Sequence, residues 1–334
     1  MFKGIDTGSA PIRKEAVKLP PRLAWIEHLK KSACNPVIRP QGAGPAADAI
    51  FNPAAIVHDG RVGLLCRAIN FTRQPRDSRN WSVSTLVWAW SDDGFHFELD
   101  EKPAFDPGPD SPYQGGFEDP RLVKIGDEYV LTFTGVHNFD RTPGLIAFSR
   151  DLKHWEWGGE VLPGRAIAIT RERIGGYYYG YWGNSCIFLA RSRDLRSWET
   201  LKEPALRPRP GRFDALLCES AAPPLLTDDG ILLFSNGDRG RVPAQNYARG
   251  SIPCYVHDIL WTCYSTGWAL FDRHDPSRLL ARCEEPVLTP ERLYEIFGIS
   301  FYTVFAQGYV EFKGRRFLYY GCADMRIGVA TAEM

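Results

Sequence analysis

Residues 115–125 read Gly115-Gly116-Phe117-Glu118-Asp119-Pro120-Arg121-Leu122-Val123-Lys124-Ile125, and Gly126-Asp127 separates them from a second apolar run that ends at Gly135. Gly-Asp between two apolar runs is typical of a hairpin turn. The paired glycines allow the backbone to approach another group closely, and Pro120 favours an extended conformation at Asp119. The segment therefore predicts an antiparallel hairpin, with two carboxylates and an arginine just before an apolar strand.

The same succession of strand, glycine-containing turn and strand occurs in four further segments of the chain. They cover residues 52–68, 166–183, 223–237 and 303–324, with turns at Asp59-Gly60, Gly175-Gly176, Asp229-Gly230 and Lys313-Gly314. A second element recurs between them, in which a strand runs into a Ser-x-Asp turn: Ser91-Asp92-Asp93, Ser149-Arg150-Asp151 and Ser192-Arg193-Asp194. An aspartate in such a turn accepts hydrogen bonds from backbone two residues on. Two hairpins in each unit predict a four-stranded sheet.

Five such units predict an all-β fold, and specifically a five-bladed β-propeller, because one blade cannot cover both of its apolar faces alone. Gly 31 and Pro 25 together make about 17% of the chain, above the usual 12% or so, which agrees with many turns. A β-sandwich is the alternative, although it would not naturally repeat the Ser-x-Asp turn. Residues 1–45 are predicted as an irregular lead-in with a short helix over 23–31, residues 46–334 as one catalytic domain, and residues 238–265 as a long loop near one mouth of the ring.

The charge and hydropathy of the chain exclude several classes of partner. Lys and Arg number 40 and Asp and Glu number 40, so no polyanion-binding tail is present and nucleic acid is not an expected partner. No run of 18 apolar residues and no apolar N-terminal segment occurs. We expect a cytoplasmic protein without a membrane partner, unless a signal was removed from this chain, and an oligomer is compatible with it. The eight cysteines lack metal-ligand spacing and are expected to be buried free thiols, with Cys254 and Cys263 as the exceptions.

In a propeller, the first strands of the blades line a central channel, so residues at their ends converge on one pocket. The polar candidates for that pocket are Asn52, Arg67, Asp119, Arg121, Asn184, Glu219, Asn236 and Asp324. Tyr181, Trp182 and Tyr302 could supply aromatic platforms. Carboxylates and amides beside aromatic rings suit a sugar, which offers many hydroxyls and one apolar face. The alternative for Glu118 and Asp119 is a solvated turn paired to Arg121, since most carboxylates lie on protein surfaces.

Cleavage of a glycosidic bond needs a proton for the leaving oxygen and a nucleophile at the other face of the sugar. Asp119 and Glu219 are the predicted catalytic pair. They lie in different units, which permits the wide separation of an inverting enzyme.

Several motifs resemble those of glycoside hydrolase family 130, the β-mannoside phosphorylases and β-1,2-mannosidases. The resemblance extends over residues 50–332 and rests on Gly116-Phe117-Glu118-Asp119-Pro120-Arg121, Asn52-Pro53-Ala54, Leu65-Cys66-Arg67-Ala68, Ala269-Leu270-Phe271-Asp272 with Asp275-Pro276, and Tyr319-Tyr320-Gly321-Cys322-Ala323-Asp324. It implies a five-bladed propeller and an inverting mechanism in which Asp119 is the general acid and protonates the glycosidic oxygen through a mannose hydroxyl. It also implies that Asn52, Arg67 and Asp324 hold the mannose, and that neither a metal nor an organic cofactor is needed.

The branches of that family differ in the residues that face the anomeric carbon. Phosphorylases have cationic side chains where this chain has Tyr181-Trp182-Gly183 and Ser235-Asn236-Gly237. The hydrolase branch has one glutamate on the third blade and one on the fourth. This chain keeps the glutamate of the fourth blade as Glu219 but has Asn184 in place of the glutamate on the third. Little positive charge is therefore expected near the anomeric carbon.

The resemblance thus favours inverting hydrolysis of β-mannosides, most readily β-1,2-linked manno-oligosaccharides, with Glu219 activating water. A phosphorylase that forms mannose 1-phosphate is the alternative. A mannoside-binding propeller with weak or no turnover is the second alternative, suggested by Asn184. The loop over 238–265 is expected to shape the site for the residue beyond the cleaved bond.

Overall fold

The computed structural model describes residues 19–75, 80, 82–137, 141–240 and 263–334, and within them the chain consists mainly of β-strands. A 3₁₀ helix covers Pro21–His28, and a single α-helical turn, α1, covers Leu293–Ile296. The strands in chain order are β1 (Lys30–Lys31), β2 (Ala49–His58), β3 (Arg61–Ile69), β4 (Ser84–Ser91), β5 (Glu98–Leu99), β6 (Gly116–Ile125), β7 (Glu128–Val136), β8 (Gly144–Ser149), β9 (Trp155–Leu162), β10 (Ala168–Ile169), β11 (Tyr178–Trp182), β12 (Ile187–Ser192), β13 (Glu199–Leu206), β14 (Leu217–Ser220), β15 (Leu225–Thr227), β16 (Gly230–Asp238), β17 (Tyr264–Phe271), β18 (Leu279–Arg282), β19 (Val304–Phe312), β20 (Arg315–Cys322) and β21 (Arg326–Glu333).

These strands form antiparallel groups that follow one another along the chain. Group 1 is β2–β5, group 2 is β6–β9, group 3 is β10–β13, group 4 is β14–β18, and group 5 is β19–β21 with β1 at its outer edge. Groups 1 and 2 are joined into one eight-stranded sheet by a single parallel pair, Ser84 with Gly116. In group 4, the short strands β14 and β15 both pair with β16. The all-β prediction is confirmed.

The predicted turns connect the first two strands of groups 1, 2, 3 and 5, and they connect β15 to β16 in group 4. Asp59-Gly60, Gly126-Asp127 and Lys313-Gly314 join antiparallel strands directly. Ile174 and Tyr177 form an isolated bridge around Gly175-Gly176. In group 4, Thr227 pairs with Gly230, so the turn residues are Asp228-Asp229, one position earlier than predicted.

The three Ser-x-Asp segments form the same hydrogen-bonded turn. In the second of them, Asp151 Oδ1 accepts from the backbone N–H groups of Lys153 and His154, each over 2.8 Å. Asp93 and Asp194 make the equivalent bonds. These side-chain bonds satisfy backbone donors that the turn removes from the strands.

The hydrophobic core lies between the groups. One cluster of buried residues joins group 1 to group 2, another joins group 2 to group 3, and others join group 3 to group 4 and group 4 to group 5. A further cluster brings Phe317 and Val329 of group 5 against Leu64 and Val87 of group 1. The last group is therefore packed against the first, as well as against its predecessor.

The described part of the N-terminal segment contributes structure to group 5. Lys30 and Lys31 pair with Thr331 and Ala330, which makes β1 the outer strand of that group. The predicted short helix is present as the 3₁₀ helix. Across the described ranges, no helix is both long and apolar enough to span a bilayer.

The cysteine prediction is only partly confirmed. Seven cysteines are described and all are free; Cys254, which was named as an exception, lies outside the described residues. Cys34 is exposed and Cys186 is half-buried, so the expectation of burial was wrong for both. Buried thiols are found at Cys66, Cys218, Cys283 and Cys322.

We expect Gly116→Ala to lower the free energy of unfolding by about 3 kcal/mol, because strain and a clash coincide there. Gly116 has φ of 87°, and a Cβ atom would lie 2.0 Å from the Ser84 carbonyl oxygen. Gly126→Ala is the matched control: φ is 60° but no atom lies within 4 Å of the added Cβ, so we expect a loss of about 1 kcal/mol. Urea unfolding of both variants measures the difference, and equal losses would contradict this account of the junction between groups 1 and 2.

Candidate active site

The first strands of groups 1 and 2 each contain a β-bulge, at Asn52-Pro53 and at Asp119-Pro120. The pairing slips between Phe51 and Ala54 and between Glu118 and Arg121. Asn52 has φ of 45° and Asp119 has φ of 51°, a left-handed conformation that Asn and Asp adopt more readily than most residues. A bulge redirects the side chains around it. Here the two side chains meet, and Asn52 Nδ2 donates to Asp119 Oδ1 over 2.9 Å.

Both bulges are held by one residue of group 5. Gln307 is fully buried, and its Nε2 donates to the Asn52 carbonyl oxygen over 2.8 Å and to the Pro120 carbonyl oxygen over 2.7 Å. Because these carbonyl groups have left the strand ladder, burial would otherwise leave them without a donor. Gln307 thus positions the site, and sequence analysis did not identify it.

The carboxylate of Asp119 is buried among hydrogen-bond donors. Arg67 Nη1 lies 3.5 Å from its Oδ1, and Arg165 Nη2 lies 2.5 Å from its Oδ2. Burial alone would raise the pKa of Asp119, but the charges of Arg165 and Arg67 and the bond from Asn52 hold that pKa well below its usual value. Asp119 is therefore an anion in this arrangement, and it must gain a proton before it can act as an acid.

Glu118 shares both arginines with Asp119. Arg67 Nη2 contacts Glu118 Oε1 over 2.5 Å, and Arg165 Nη2 contacts Glu118 Oε2 over 2.8 Å. Glu118 and Asp119 expose only 9% and 3% of their surface. The alternative of a solvated turn was therefore wrong.

Arg165 is the site residue that sequence analysis missed. It lies between β9 and β10, and its Nε is buried with no hydrogen-bond partner among the described residues. Its position has a parallel in the other groups, because Arg165 precedes Ala166 (φ 62°) as Glu118 precedes Asp119 and Phe51 precedes Asn52. Proline follows Asn52 and Asp119 but not Ala166. An alignment of the repeats on the residue that precedes the left-handed position would have singled out Arg165.

Arg121 links Asp119 to Glu219. Its Nε donates to the Ala221 carbonyl oxygen over 2.7 Å, its Nη1 donates to the Asp119 carbonyl oxygen over 3.1 Å, and its Nη2 lies 3.9 Å from Glu219 Oε1. Arg121 is fully buried. It therefore braces group 2 against group 4. Its donors are directed at backbone carbonyl oxygens, which does not fit the substrate-contacting role predicted for it.

Glu219 belongs to the same polar cluster as Asp119. It is buried, and its Oε1 has no hydrogen-bond partner among the described residues. Burial raises the pKa of Glu219 to about 7, against the opposing charges of Arg165 and Arg121. A carboxyl group with this pKa exchanges its proton near neutral pH, as a general base or acid requires.

Asp324 and Asn184 complete the cluster on two sides. Burial raises the pKa of Asp324 to about 6, with Arg67 acting in the opposite direction and Asp119 adding to the increase. Asn184 is exposed and lines a cavity of about 190 Å³ together with Glu118 and Arg165. The cavity gives solvent-sized molecules access to the arginine that holds Asp119.

Three of the predicted site residues lie elsewhere or are occupied by other contacts. Tyr181 is fully buried and its hydroxyl donates to the Pro276 carbonyl oxygen, so its ring is unavailable as a sugar platform. Asn236 is buried. Its Nδ2 donates to the Ala306 carbonyl oxygen and its Oδ1 accepts from the Ala306 N–H, which joins group 4 to group 5. Trp182 is half-buried and packs against Phe188.

The expectation of little positive charge near the anomeric carbon stays a prediction, but the cluster itself contains three arginines. Arg67, Arg121 and Arg165 all lie within it, and the first and last contact the carboxylates directly. Within the described ranges, no group of three or more His, Cys, Asp or Glu side chains is arranged to hold a metal ion.

We expect Glu219→Gln to remove part of the pH dependence of stability. The folded pKa of about 7 exceeds the value of about 4.3 for an unfolded glutamate, so the folded protein holds an extra proton between these values. The free energy of unfolding should therefore fall as pH rises from 5 to 8, by up to about 3 kcal/mol from this residue. Urea unfolding of both proteins at pH 5 and pH 8 measures it. Parallel pH dependence in the two proteins would contradict the assigned pKa.

Comparison with known proteins relates this site to characterised enzymes. Residues 21–334 match the family model for glycoside hydrolase family 130, described as β-1,4-mannooligosaccharide phosphorylase. The chain is 32% identical over 313 residues to 1,2-β-oligomannan phosphorylase of Thermoanaerobacter sp. (strain X514), covering 92% of this chain and 97% of the relative. It is 33% identical to β-1,2-mannobiose phosphorylase of the same organism, covering 86% and 90%.

A solved structure is similar over most of both chains. It is described with the statement that the GH130 family of mannoside phosphorylases contains glycoside hydrolases that target β-1,2-mannosidic linkages in Candida mannan; it is 31% identical, with a TM-score of 0.79, and the match covers 91% of this chain and 93% of that one. Together with the family match over nearly the whole chain, these similarities establish that the protein belongs to glycoside hydrolase family 130.

Proposed function

We propose that the protein is a β-mannoside phosphorylase that cleaves β-1,2-linked manno-oligosaccharides with inorganic phosphate. Relatives at 32–33% identity are named β-1,2-oligomannan or β-1,2-mannobiose phosphorylases, whereas a relative at 24% identity is named β-1,4-mannooligosaccharide phosphorylase. Phosphorolysis is the alternative of the sequence analysis, and it replaces hydrolysis as the main hypothesis. The sequence favours hydrolysis through Glu219 and through the small positive charge expected near the anomeric carbon, whereas the guanidinium of Arg165 in the cluster supports phosphate binding.

The observation that carries the proposal is the position of Arg165. Its Nη2 reaches both Glu118 and Asp119, and the side chain also lines the cavity shared with Asn184. Because its Nε has no partner among the described residues, the guanidinium retains a donor for an anion. A phosphate group is a strong acceptor for such a donor.

Phosphate binding at Arg165 would also prepare the acid. The charge of Arg165 keeps Asp119 ionised in this structure. A phosphate dianion beside Arg165 offsets that charge, so the pKa of Asp119 rises and the carboxyl group can carry a proton. Binding of the nucleophile and protonation of the acid are then coupled.

The bond changes follow those of an inverting enzyme. A phosphate oxygen forms a bond to the anomeric carbon of the terminal mannose as the glycosidic C–O bond breaks on the opposite side. Asp119 supplies the proton that the departing oxygen gains, through a mannose hydroxyl as the family resemblance implies. The products are α-mannose 1-phosphate and an oligosaccharide shorter by one residue. In this proposal Asn52, Arg67 and Asp324 hold the mannose.

Hydrolysis remains a second candidate because of Glu219. The carboxyl group of Glu219 is buried and has a pKa of about 7, and its Oε1 has no hydrogen-bond partner among the described residues. Such a group is suited to take a proton from water. In the phosphorylase, the same group would stay protonated near the phosphate, which avoids repulsion between two anions.

The proposal includes the five-bladed propeller. The five groups of strands would be the blades, and the packing of group 5 against group 1 would close the ring. This arrangement explains how Asp119, Arg165 and Glu219 from three different groups reach one cluster. The loop predicted over 238–265 lies mostly outside the described residues, and its role in aglycone selection stays a prediction.

Incubation with β-1,2-mannobiose tests the proposal. With phosphate, we expect equal amounts of mannose and mannose 1-phosphate, and without phosphate we expect no turnover. Release of mannose at the same rate in phosphate-free buffer would replace phosphorolysis with hydrolysis. Turnover under neither condition on a panel of β-mannosides would favour the mannoside-binding alternative.

A further inference from the structure

A second cavity, of about 560 Å³, lies at the other end of the strands that form the active site. Every group of strands contributes to its lining. We call it the far cavity, and the residues that define it are Val57, Lys124, Arg171, Leu226 and Val310.

The far cavity is separate from the catalytic cluster. Asp119 and Lys124 lie on the same strand, β6, five residues apart. Five residues of an extended strand span about 17 Å. A molecule in the far cavity therefore cannot contact the catalytic residues, although it touches the same strands.

Cationic side chains predominate around the far cavity. Arg22, Lys124, Arg171 and Arg316 line it, against the carboxylates of Glu172 and Glu311. The carboxylate of Glu311 is already engaged, because it accepts from the Tyr309 hydroxyl over 2.8 Å and lies 3.4 Å from Arg316 Nε. The cavity therefore presents more positive than negative charge.

Arg171, like Lys124, has no ion-paired acid among the described residues. In the described part of the chain it has neither a hydrogen bond nor an ion pair, whereas Arg22 is paired with Asp228 and Arg316 with Glu311. Partial loss of hydration lowers the pKa of Arg171, and the nearby Tyr309 and Glu311 oppose that effect. An exposed guanidinium that faces a cavity in this way can bind an anion through two parallel hydrogen bonds.

The rest of the lining is mainly apolar or aromatic and includes the aliphatic side chains of Ile56 and Leu225 beside Thr227. Trp25 also faces the cavity, but the guanidinium of Arg316 covers its ring at 4.9 Å. A neutral sugar would therefore lack a free aromatic platform, and charge is the main means of recognition.

We propose that the far cavity binds a phosphate group, either as inorganic phosphate or as the monoester of a small sugar, through Arg171 and Lys124. The proposal depends on the charges of the far cavity and not on the reaction at Asp119. It holds whether the enzyme uses phosphate or water.

Isothermal titration calorimetry tests it with three probes, which are inorganic phosphate, mannose 1-phosphate and mannose. The titrations use Arg165→Gln protein, because that change removes the phosphate contact proposed for the active site. We expect the phosphate probes to bind at a site that Arg171→Gln weakens, and we expect any binding of mannose at the active site to be unaffected by Arg171→Gln. Adding Arg171→Gln should raise the dissociation constant at least about tenfold, and Lys124→Gln should weaken binding in the same direction.

Arg173→Gln is the matched control, since Arg173 lies two residues away and donates to the Arg193 carbonyl oxygen instead. It should leave binding unchanged. At the site that Arg171→Gln weakens, tighter binding of mannose 1-phosphate than of inorganic phosphate identifies the ester as the ligand, and equal binding there identifies free phosphate. Titrations that are identical with and without Arg171→Gln would overturn the proposal, as would the absence of binding by both phosphate probes.

Discussion

Asp119→Asn is expected to lower kcat on β-1,2-mannobiose by about 10²- to 10⁴-fold, the usual contribution of a general acid. Asparagine keeps the shape of the side chain and its bond with Asn52, but it has no proton to deliver. Arg67 and Arg165 retain Glu118 as a partner, so the fold and the affinity for mannose should change little. Initial rates and mannose binding, measured on the same preparation, separate these effects.

A substrate with a better leaving group gives the sharper test of this role. The dinitrophenolate of a dinitrophenyl β-mannoside departs without protonation. Asp119→Asn should therefore lose far less activity on this substrate than on mannobiose. Asp194→Asn is the matched control, because Asp194 accepts backbone bonds in a turn of group 3, and kcat should be unchanged. Equal losses on the two substrates would show that Asp119 does not act as the acid.

Arg165→Gln is expected to lower kcat/KM for phosphate by about 10²- to 10³-fold, as loss of one preorganised donor at a reacting anion does. The KM for mannobiose should change much less. Loss of the cation also raises the pKa of Asp119, because Arg165 is the charge that lowers it most. The decline of kcat at alkaline pH should therefore move to higher pH.

This shift in pH distinguishes a direct role of Arg165 from a purely structural one. The control is Arg191→Gln, an exposed arginine paired with Glu199, which should leave both the phosphate dependence and the pH profile unchanged. An Arg165→Gln enzyme with an unchanged kcat/KM for phosphate would contradict the proposed phosphate contact.

Sequence reasoning found Asn52 and Asp119 as polar residues at strand ends and through the family resemblance. The extended conformation expected at Asp119 before Pro120 was wrong, because its φ is 51°. The two Asn-Pro and Asp-Pro bulges form in the structure as equivalent features. Arg165 lies at a similar position but is followed by Ala166-Ile167, so it carries no such marker. The charge of Arg165 supports phosphate as the nucleophile. Because the sequence does not mark this arginine, sequence reasoning favours hydrolysis.

The errors at Tyr181 and Asn236 have a different cause. Successive residues of a strand point to opposite faces, and a shift of one residue exchanges the faces. Sequence placed Tyr181 and Trp182 on a strand of group 3 without fixing which of them faces the neighbouring group. The Arg121 contact with Glu219 joins residues almost 100 positions apart, and only the packing of the groups brings them together.

The central claim is that Arg165 presents phosphate to the same mannose residue that Asp119 serves as the acid. A crystal structure of Asp119→Asn protein with β-1,2-mannobiose and phosphate tests it directly. We predict a phosphate oxygen within hydrogen-bonding distance of the Arg165 guanidinium, across the anomeric carbon from residue 119. A water molecule held by Glu219 at that position, with no phosphate at Arg165, would contradict the claim.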